Sequence, residues 1–178
     1  SSDVDYGIAV SPNKNDRTFA VIIANEKYQE EADVQFASRD GQVFRQYCEQ
    51  LLGIPSINIH YRENATRNHI IAEMDWLKKV CDVYDGEAKV IFYYAGHGVP
   101  DESNRHAYLL PSDGIGSNLA TGYKLSELYK LLGELHADNV MIFLDACFSG
   151  SQRNGKALLS ARGVAIACKE EQPSGRMI

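Results

Sequence analysis

A chain of 178 residues, 44% hydrophobic and 24% charged, carries enough apolar material for one domain with a buried core. Its net charge of -6, with no basic run longer than Lys78–Lys79, argues against a nucleic-acid partner, which would select a basic face. The longest apolar stretches, near Phe19–Ala24 and Val140–Leu144, fall far short of the roughly 20 residues that cross a bilayer, so no membrane role is expected. The N-terminus is polar and acidic rather than an intact signal peptide, and localisation stays open.

In chain order, residues 1–16 read as a leader rich in turn formers, and residues 17–178 as the domain. Thr18–Ala24 is an apolar run of Val and Ile bounded by polar residues, a buried strand. Ser38–Leu52 places Val43, Phe44, Tyr47, Cys48, Leu51 and Leu52 at helical spacing, with Gly53 as a stop. Ile57–Tyr61 is a short strand. Thr66–Val83 is a second amphipathic helix with Thr66 as N-cap. Lys89–Ala95 is a buried strand closed by Gly96-His97-Gly98. His106–Leu110 is a short strand, one arm of a hairpin, and Leu125–Leu132 a third helix. Asn139–Leu144 is a further buried strand running into Asp145-Ala146-Cys147. Apolar strands alternating with amphipathic helices predict a mostly parallel sheet covered on both faces. Ser149–Gly155 reads as a loop. Ala157–Ala167 has no clean period, and Gly163 weakens a helix there.

Two of these strands end in reactive residues. One delivers His97 and the other Cys147, 50 residues apart. Functional groups of a parallel sheet gather at the carboxyl ends of its strands. A thiolate is a strong nucleophile but scarce at neutral pH, and a nearby imidazole can take the thiol proton and hand it to a leaving amine. Gly96 and Gly98 are expected to turn the backbone tightly around His97. The Gly98 and Cys147 amides are candidate oxyanion donors. A lone Cys or His is usually structural; the pairing on two strand ends, flanked by Gly and Ser, reverses those odds. Cys48 and Cys81 sit in helical stretches and read as small buried hydrophobes. No CxxC pair exists, so no zinc site is expected.

The segments YYAGHG (Tyr93–Gly98) and DACFSG (Asp145–Gly150) resemble the His and Cys motifs of the caspase family, and are most similar to its metacaspase and bacterial caspase-like branch. The spacing of about 50 residues is that of the caspase pattern. The resemblance covers Arg17 to Gly150 and implies a caspase-like three-layer α/β sandwich and a cysteine endopeptidase acting on a peptide or protein substrate. Asp145-Ala-Cys-Phe-Ser-Gly departs from the animal-caspase signature Gln-Ala-Cys, which speaks against cleavage after Asp. In metacaspases a pocket carboxylate lies two residues before the cysteine, the place of Asp145, and Asp40 in FASRDGQVF resembles their second pocket acid. Two carboxylates favour Arg or Lys and repel Asp. The plainer reading of Asp40 is a helix N-terminal charge.

The resemblance also implies about six strands, two of them after the cysteine, so the remaining strands are expected to be missing or on a second chain. It raises calcium; Asp101, Glu102 and Asp113 are available but form no dense acidic run, and no cofactor or metal is expected. Arg153, Lys156, Arg162, Lys169 and Arg176 follow the cysteine, where an Arg/Lys-directed enzyme would cut itself. Arg39, Arg62 and Arg67 read as solvated, and His60, His69, His106 and His136 as structural. The alternatives are a silent caspase-like scaffold or regulator, or a separase-like or legumain-like cysteine hydrolase.

Overall fold

The computed structural model describes residues 14–101, 103, 106–148 and 161–168, with 147–148 and 161–168 described as backbone. Among the described residues seven strands form one sheet: β1 (Thr18–Ala24), β2 (Ile59–Glu63), β3 (Lys89–Asp101), β4 (His106–Leu109), β5 (Tyr123–Lys124), β6 (Asn139–Phe148) and β7 (Ala161–Cys168). Three helices cover it: α1 (Ala37–Gln46), α2 (Arg67–Val83) and α3 (Leu125–Gly133).

The central strands are parallel. β1 lies between β2 and β3, and β3 between β1 and β6. β4 pairs antiparallel to the outer part of β3, β5 to β4, and β7 to β6. The sheet is therefore parallel through its centre, as expected, and antiparallel in its outer pairings. One of those outer pairings arises because β3 does not stop at Ala95. It continues through the Gly-His-Gly segment as one 13-residue strand and turns back as a hairpin with β4. β7 is the strand that the aperiodic 157–167 stretch concealed; it follows Cys147 in the chain and pairs with β6. Arg162 lies in that strand rather than in a loop; the other basic residues of this region, with Glu102 and residues 149–160 and 169–178, fall outside the described residues.

Alternation along the central strands splits the core between the two faces. Ala20, Ile22, Ile91, Tyr93 and Ala95 face α1 with Ala37, Cys48 and Phe44. Val21, Ile23, Val90, Phe92, Ile142 and Leu144 face α2 and α3 with Ile70, Met74, Leu77, Leu128 and Leu132. This double burial is why β1 and β3 read as unbroken apolar runs.

The helix ends follow local chemistry. Thr66 Oγ1 accepts the His69 amide, and His69 Nδ1 accepts the Thr66 amide, a reciprocal cap with His in place of the usual acid. α1 begins after Phe36, which takes the left-handed conformation at φ 71° and supplies no side-chain cap. Glu26 Oε2 instead accepts the Ser38 amide at 3.1 Å, bringing a carboxylate from the loop after β1 to a positive helix end. α1 is followed by one wider π turn, Tyr47–Leu51, before left-handed Gly53 at φ 65°. No described helix is long and apolar enough to cross a membrane.

Candidate active site

The last rung between β1 and β3 is Ala24–Ala95, and the first between β3 and β4 is Gly98–Leu109. Gly96 and His97 occupy the seam where one neighbouring strand has ended and the next has not begun. Chain continuity accounts for the backbone groups beside it. The Asn25 amide donates to Ala95 O at 2.8 Å and the Leu110 amide to His97 O at 3.0 Å. The His97 amide has no strand carbonyl to meet and donates to the Tyr28 hydroxyl at 2.8 Å. A buried or half-buried amide needs such a partner. The Tyr94 hydroxyl lies 2.7 Å from His97 O and 3.0 Å from Leu110 O, sharing its proton between them.

These hydroxyls explain Gly96 in a way the expected tight turn does not. β3 stays extended through His97, so the turn is not formed. A Cβ on Gly96 would come within 2.6 Å of the Tyr28 hydroxyl and 2.7 Å of the Tyr94 hydroxyl. Glycine is needed there for space.

The imidazole itself is held from the other side. His97 Nε2 lies 2.6 Å from Ala32 O. A carbonyl only accepts, so this contact assigns the proton to Nε2 and leaves Nδ1 as the acceptor in the neutral ring. Tyr28 packs against the imidazole at a centroid distance of 4.7 Å and an interplanar angle of 55°. Both Tyr28 and Ala32 lie in the segment between β1 and α1. Asn64 Oδ1 accepts the Glu26 and Lys27 amides, Ser112 O accepts the Gln29 amide, and Glu31 Oε1 accepts the Gly116 amide, pinning that segment to two neighbouring loops.

Cys147 lies on β6, directly opposite His97 in the parallel β3–β6 register. Neighbouring strands run about 4.8 Å apart, so the two backbones stand side by side at one end of the sheet rather than on opposite edges. Gly98 follows at the next rung, paired with Phe148 of β6 and with Leu109 of β4. On its other side Cys147 is opposite Arg162 of β7.

Asp145 stands one side-chain repeat before Cys147 on the strand, in the row Ala24–Ala95–Asp145. Asp40 is in the first turn of α1. Its neighbour Gly41 sits so tightly on Ala24 that an added Cβ would come within 2.5 Å of the alanine Cβ. One turn on, Phe44 stacks on Tyr93 at 4.3 Å and meets Phe143 at 5.2 Å. These contacts seat the first turn of α1 over Ala24, which stands in the same row as Asp145 but two strands away from it.

The remaining candidates have structural surroundings. Cys48 and Cys81 are buried, and burial pushes the Cys48 thiol up to about 12, which suppresses its thiolate. His69 belongs to the α2 cap. His60 stacks on Trp76 at 3.5 Å, and its Nδ1 lies 2.5 Å from Glu73 Oε2. Arg62 is not merely solvated: its Nε donates to Glu73 Oε1 at 2.7 Å, and the Glu73 side chain is only 3% exposed. The Arg67 amide is capped by Asp113 Oδ1, and Asp101 Oδ1 accepts from Ser103. Among the described residues no three His, Cys, Asp or Glu side chains cluster as metal ligands would.

Sequence inspection missed Tyr28, Tyr94 and Ala32. Tyr94 lies within YYAGHG, but its hydroxyl reaches the histidine carbonyl three residues on, past the glycine. Tyr28 and the Ala32 carbonyl are 69 and 65 positions away from His97. A carbonyl has no residue signature, and only the paired polar tips in an otherwise apolar setting hint at the tyrosines.

The fold has solved counterparts. The crystal structure of protein GSU0716 from Geobacter sulfurreducens aligns with a TM-score of 0.56 and 22% identity over 75% of this chain. The structure of pro-sf-caspase-1 aligns with a TM-score of 0.51 and 16% identity over 98%. This chain spans 52% and 60% of those two chains. No protein of curated function matches it. The Caspase domain family matches residues 17–175, taking in the whole described sheet with the His97 and Cys147 strands, and the chain belongs to that family.

Proposed function

We propose that this domain is a cysteine endopeptidase that cleaves peptide bonds after Arg or Lys. The observation that carries the reading is the register of β3 and β6, which sets His97 beside Cys147. Cys147 attacks the scissile carbonyl carbon as a thiolate. The imidazole, fixed with its Nε2 proton on Ala32 O, takes the thiol proton at Nδ1 and returns it to the departing amine. Water then hydrolyses the thioester, with the imidazole as base. The Gly98 and Cys147 amides would bind the oxyanion; both lie in ladders between strands, so that role requires the last β3–β6 rung to part as substrate enters. Asp145 on β6 and Asp40 in the first turn of α1 are the proposed acceptors for a guanidinium or ammonium group. Self-processing is proposed at a basic residue after Cys147 other than Arg162, which stands in β7 opposite the cysteine.

The test is a panel of short peptides carrying Arg, Lys, Asp or Asn before the scissile bond. Turnover of the Arg and Lys members is expected, with at least a thousandfold loss in Cys147→Ala and His97→Ala. Exclusive turnover of Asp or Asn peptides overturns the pocket assignment. A folded protein inert to the whole panel points to a non-enzymatic scaffold.

A further inference from the structure

We propose that Tyr28 is a positioning residue for His97, acting with Tyr94 across the space left by Gly96. This rests on the cysteine–histidine reading above and adds to it how the imidazole is kept in place. The seam between β1 and β4 leaves the His97 amide without a strand carbonyl on that edge, so strand pairing with β6 fixes only the other side of this residue. Two phenols hold the open edge. The Tyr28 hydroxyl accepts the His97 amide at 2.8 Å, and the Tyr94 hydroxyl donates to its carbonyl at 2.7 Å. The two oxygens lie 3.4 Å apart, within hydrogen-bonding reach, so the peptide of His97 is gripped at both polar ends by one connected pair.

Tyr28 contributes twice, because its ring also packs on the imidazole. The Ala32 carbonyl that orients Nε2 belongs to the same segment, so backbone and ring of His97 are referenced to one loop. Tyr94 is wholly buried in the core and anchors the pair to the sheet, whereas Tyr28 is half-buried and can be altered with less cost to the fold. Gly96 completes the device: an alanine Cβ would occupy the space of both hydroxyls. A base displaced by even a fraction of an ångström loses efficiency without loss of substrate affinity. Disturbance of Tyr28 should therefore appear in kcat and in the reactivity of Cys147, not in KM.

The experiment compares wild type, Tyr28→Phe, Gly96→Ala and His97→Ala, each checked for an unchanged circular dichroism spectrum. Two measurements are made: kinetics on an Arg peptide, and the pH dependence of iodoacetamide alkylation at Cys147, located by mass spectrometry. His97→Ala should give the profile of an ordinary thiol with a pKa near about 8.5. Tyr28→Phe keeps the ring and loses the hydroxyl; it should lower kcat about tenfold with KM within about twofold. Its alkylation profile should fall between wild type and His97→Ala, converging with both above pH ~9.5. Gly96→Ala should move both readouts the same way. Wild-type behaviour of Tyr28→Phe in both measurements overturns the proposal. If wild type turns over no peptide yet its alkylation depends on His97, the peptidase reading fails and the Tyr28→Phe profile still decides the positioning role. If His97→Ala leaves the alkylation profile unchanged, both fail.

Discussion

Asp145 and Asp40 are the residues whose charge sets the proposed selectivity, and changing charge at constant shape tests them most cleanly. Asp145→Asn should lower kcat/KM for Arg and Lys peptides by about ten- to a hundredfold, the usual worth of one desolvated ion pair. The same variant should change turnover of a peptide with a neutral residue at that position by less than about threefold. Asp40→Asn should act in the same direction if it shares the pocket. If Asp40 serves only the dipole of α1, it should instead leave kinetics intact and lower stability by a few tenths of a kcal/mol. Comparing kcat/KM across the two peptides decides each case. Cys48 supplies an internal control: its thiol is buried and pushed up to about 12, so native protein should resist iodoacetamide at Cys48 at pH 8 and yield it only after denaturation.

At the scale of elements, the join between β2 and α2 depends on a carboxylate. Glu73 projects from α2 with its side chain 3% exposed and meets Arg62 and His60, both on β2. Trp76, one helical turn beyond Glu73, stacks on His60 and touches Phe19 edge-on at 6.0 Å. Arg62→Met would leave a buried carboxylate with one partner in place of two, and should lower unfolding stability by about 2–3 kcal/mol. Glu73→Gln, which keeps hydrogen-bonding capacity without the charge, should cost less. Urea midpoints for the two variants check the order. Thr66→Ala removes only the side-chain half of the α2 cap and should cost about 1 kcal/mol, whereas Leu77→Ala, in the middle of the same helix and fully buried, should cost about 2–5 kcal/mol.

For the whole molecule, the titrating groups with displaced ionisation point to weakness in alkali. Burial raises the Cys48 thiol, and burial first, then its hydrogen bond to Glu63, raises the Tyr61 phenol. Burial likewise raises Tyr123 and Tyr129. A group whose folded pKa lies above its unfolded value keeps its full stabilising effect below the unfolded pKa. That effect is lost as pH rises toward the folded value. Stability should therefore hold to about pH 9 and fall between pH ~9 and ~12 as the unfolded chain sheds protons that the folded chain retains. The urea midpoint should be lower at pH 10.5 than at pH 8, and Cys48→Ala should show a smaller difference between the two. An equal midpoint at both values would contradict the burial of these groups.

What the amino-acid sequence determined by itself is what short-range chemistry encodes. The Val- and Ile-rich runs marked β1 and β3 because both faces of those strands are covered. Thr66 marked the start of α2 because capping is local. His97 and Cys147 stood out because each sits in a distinctive context at the end of an apolar run. Tertiary structure alone decided the rest. The continuation of β3 beyond His97 depends on β4 and β6 offering partners on either side, and the strand at Ala161–Cys168 depends on β6. No periodicity within those segments specifies such pairing. The rung that pairs His97 with Cys147, the carbonyl at Ala32 and the two phenols around Gly96 are likewise products of chain segments distant in sequence. Hydrogen bonds of that kind depend on where a backbone group lies, and only the folded chain fixes that position.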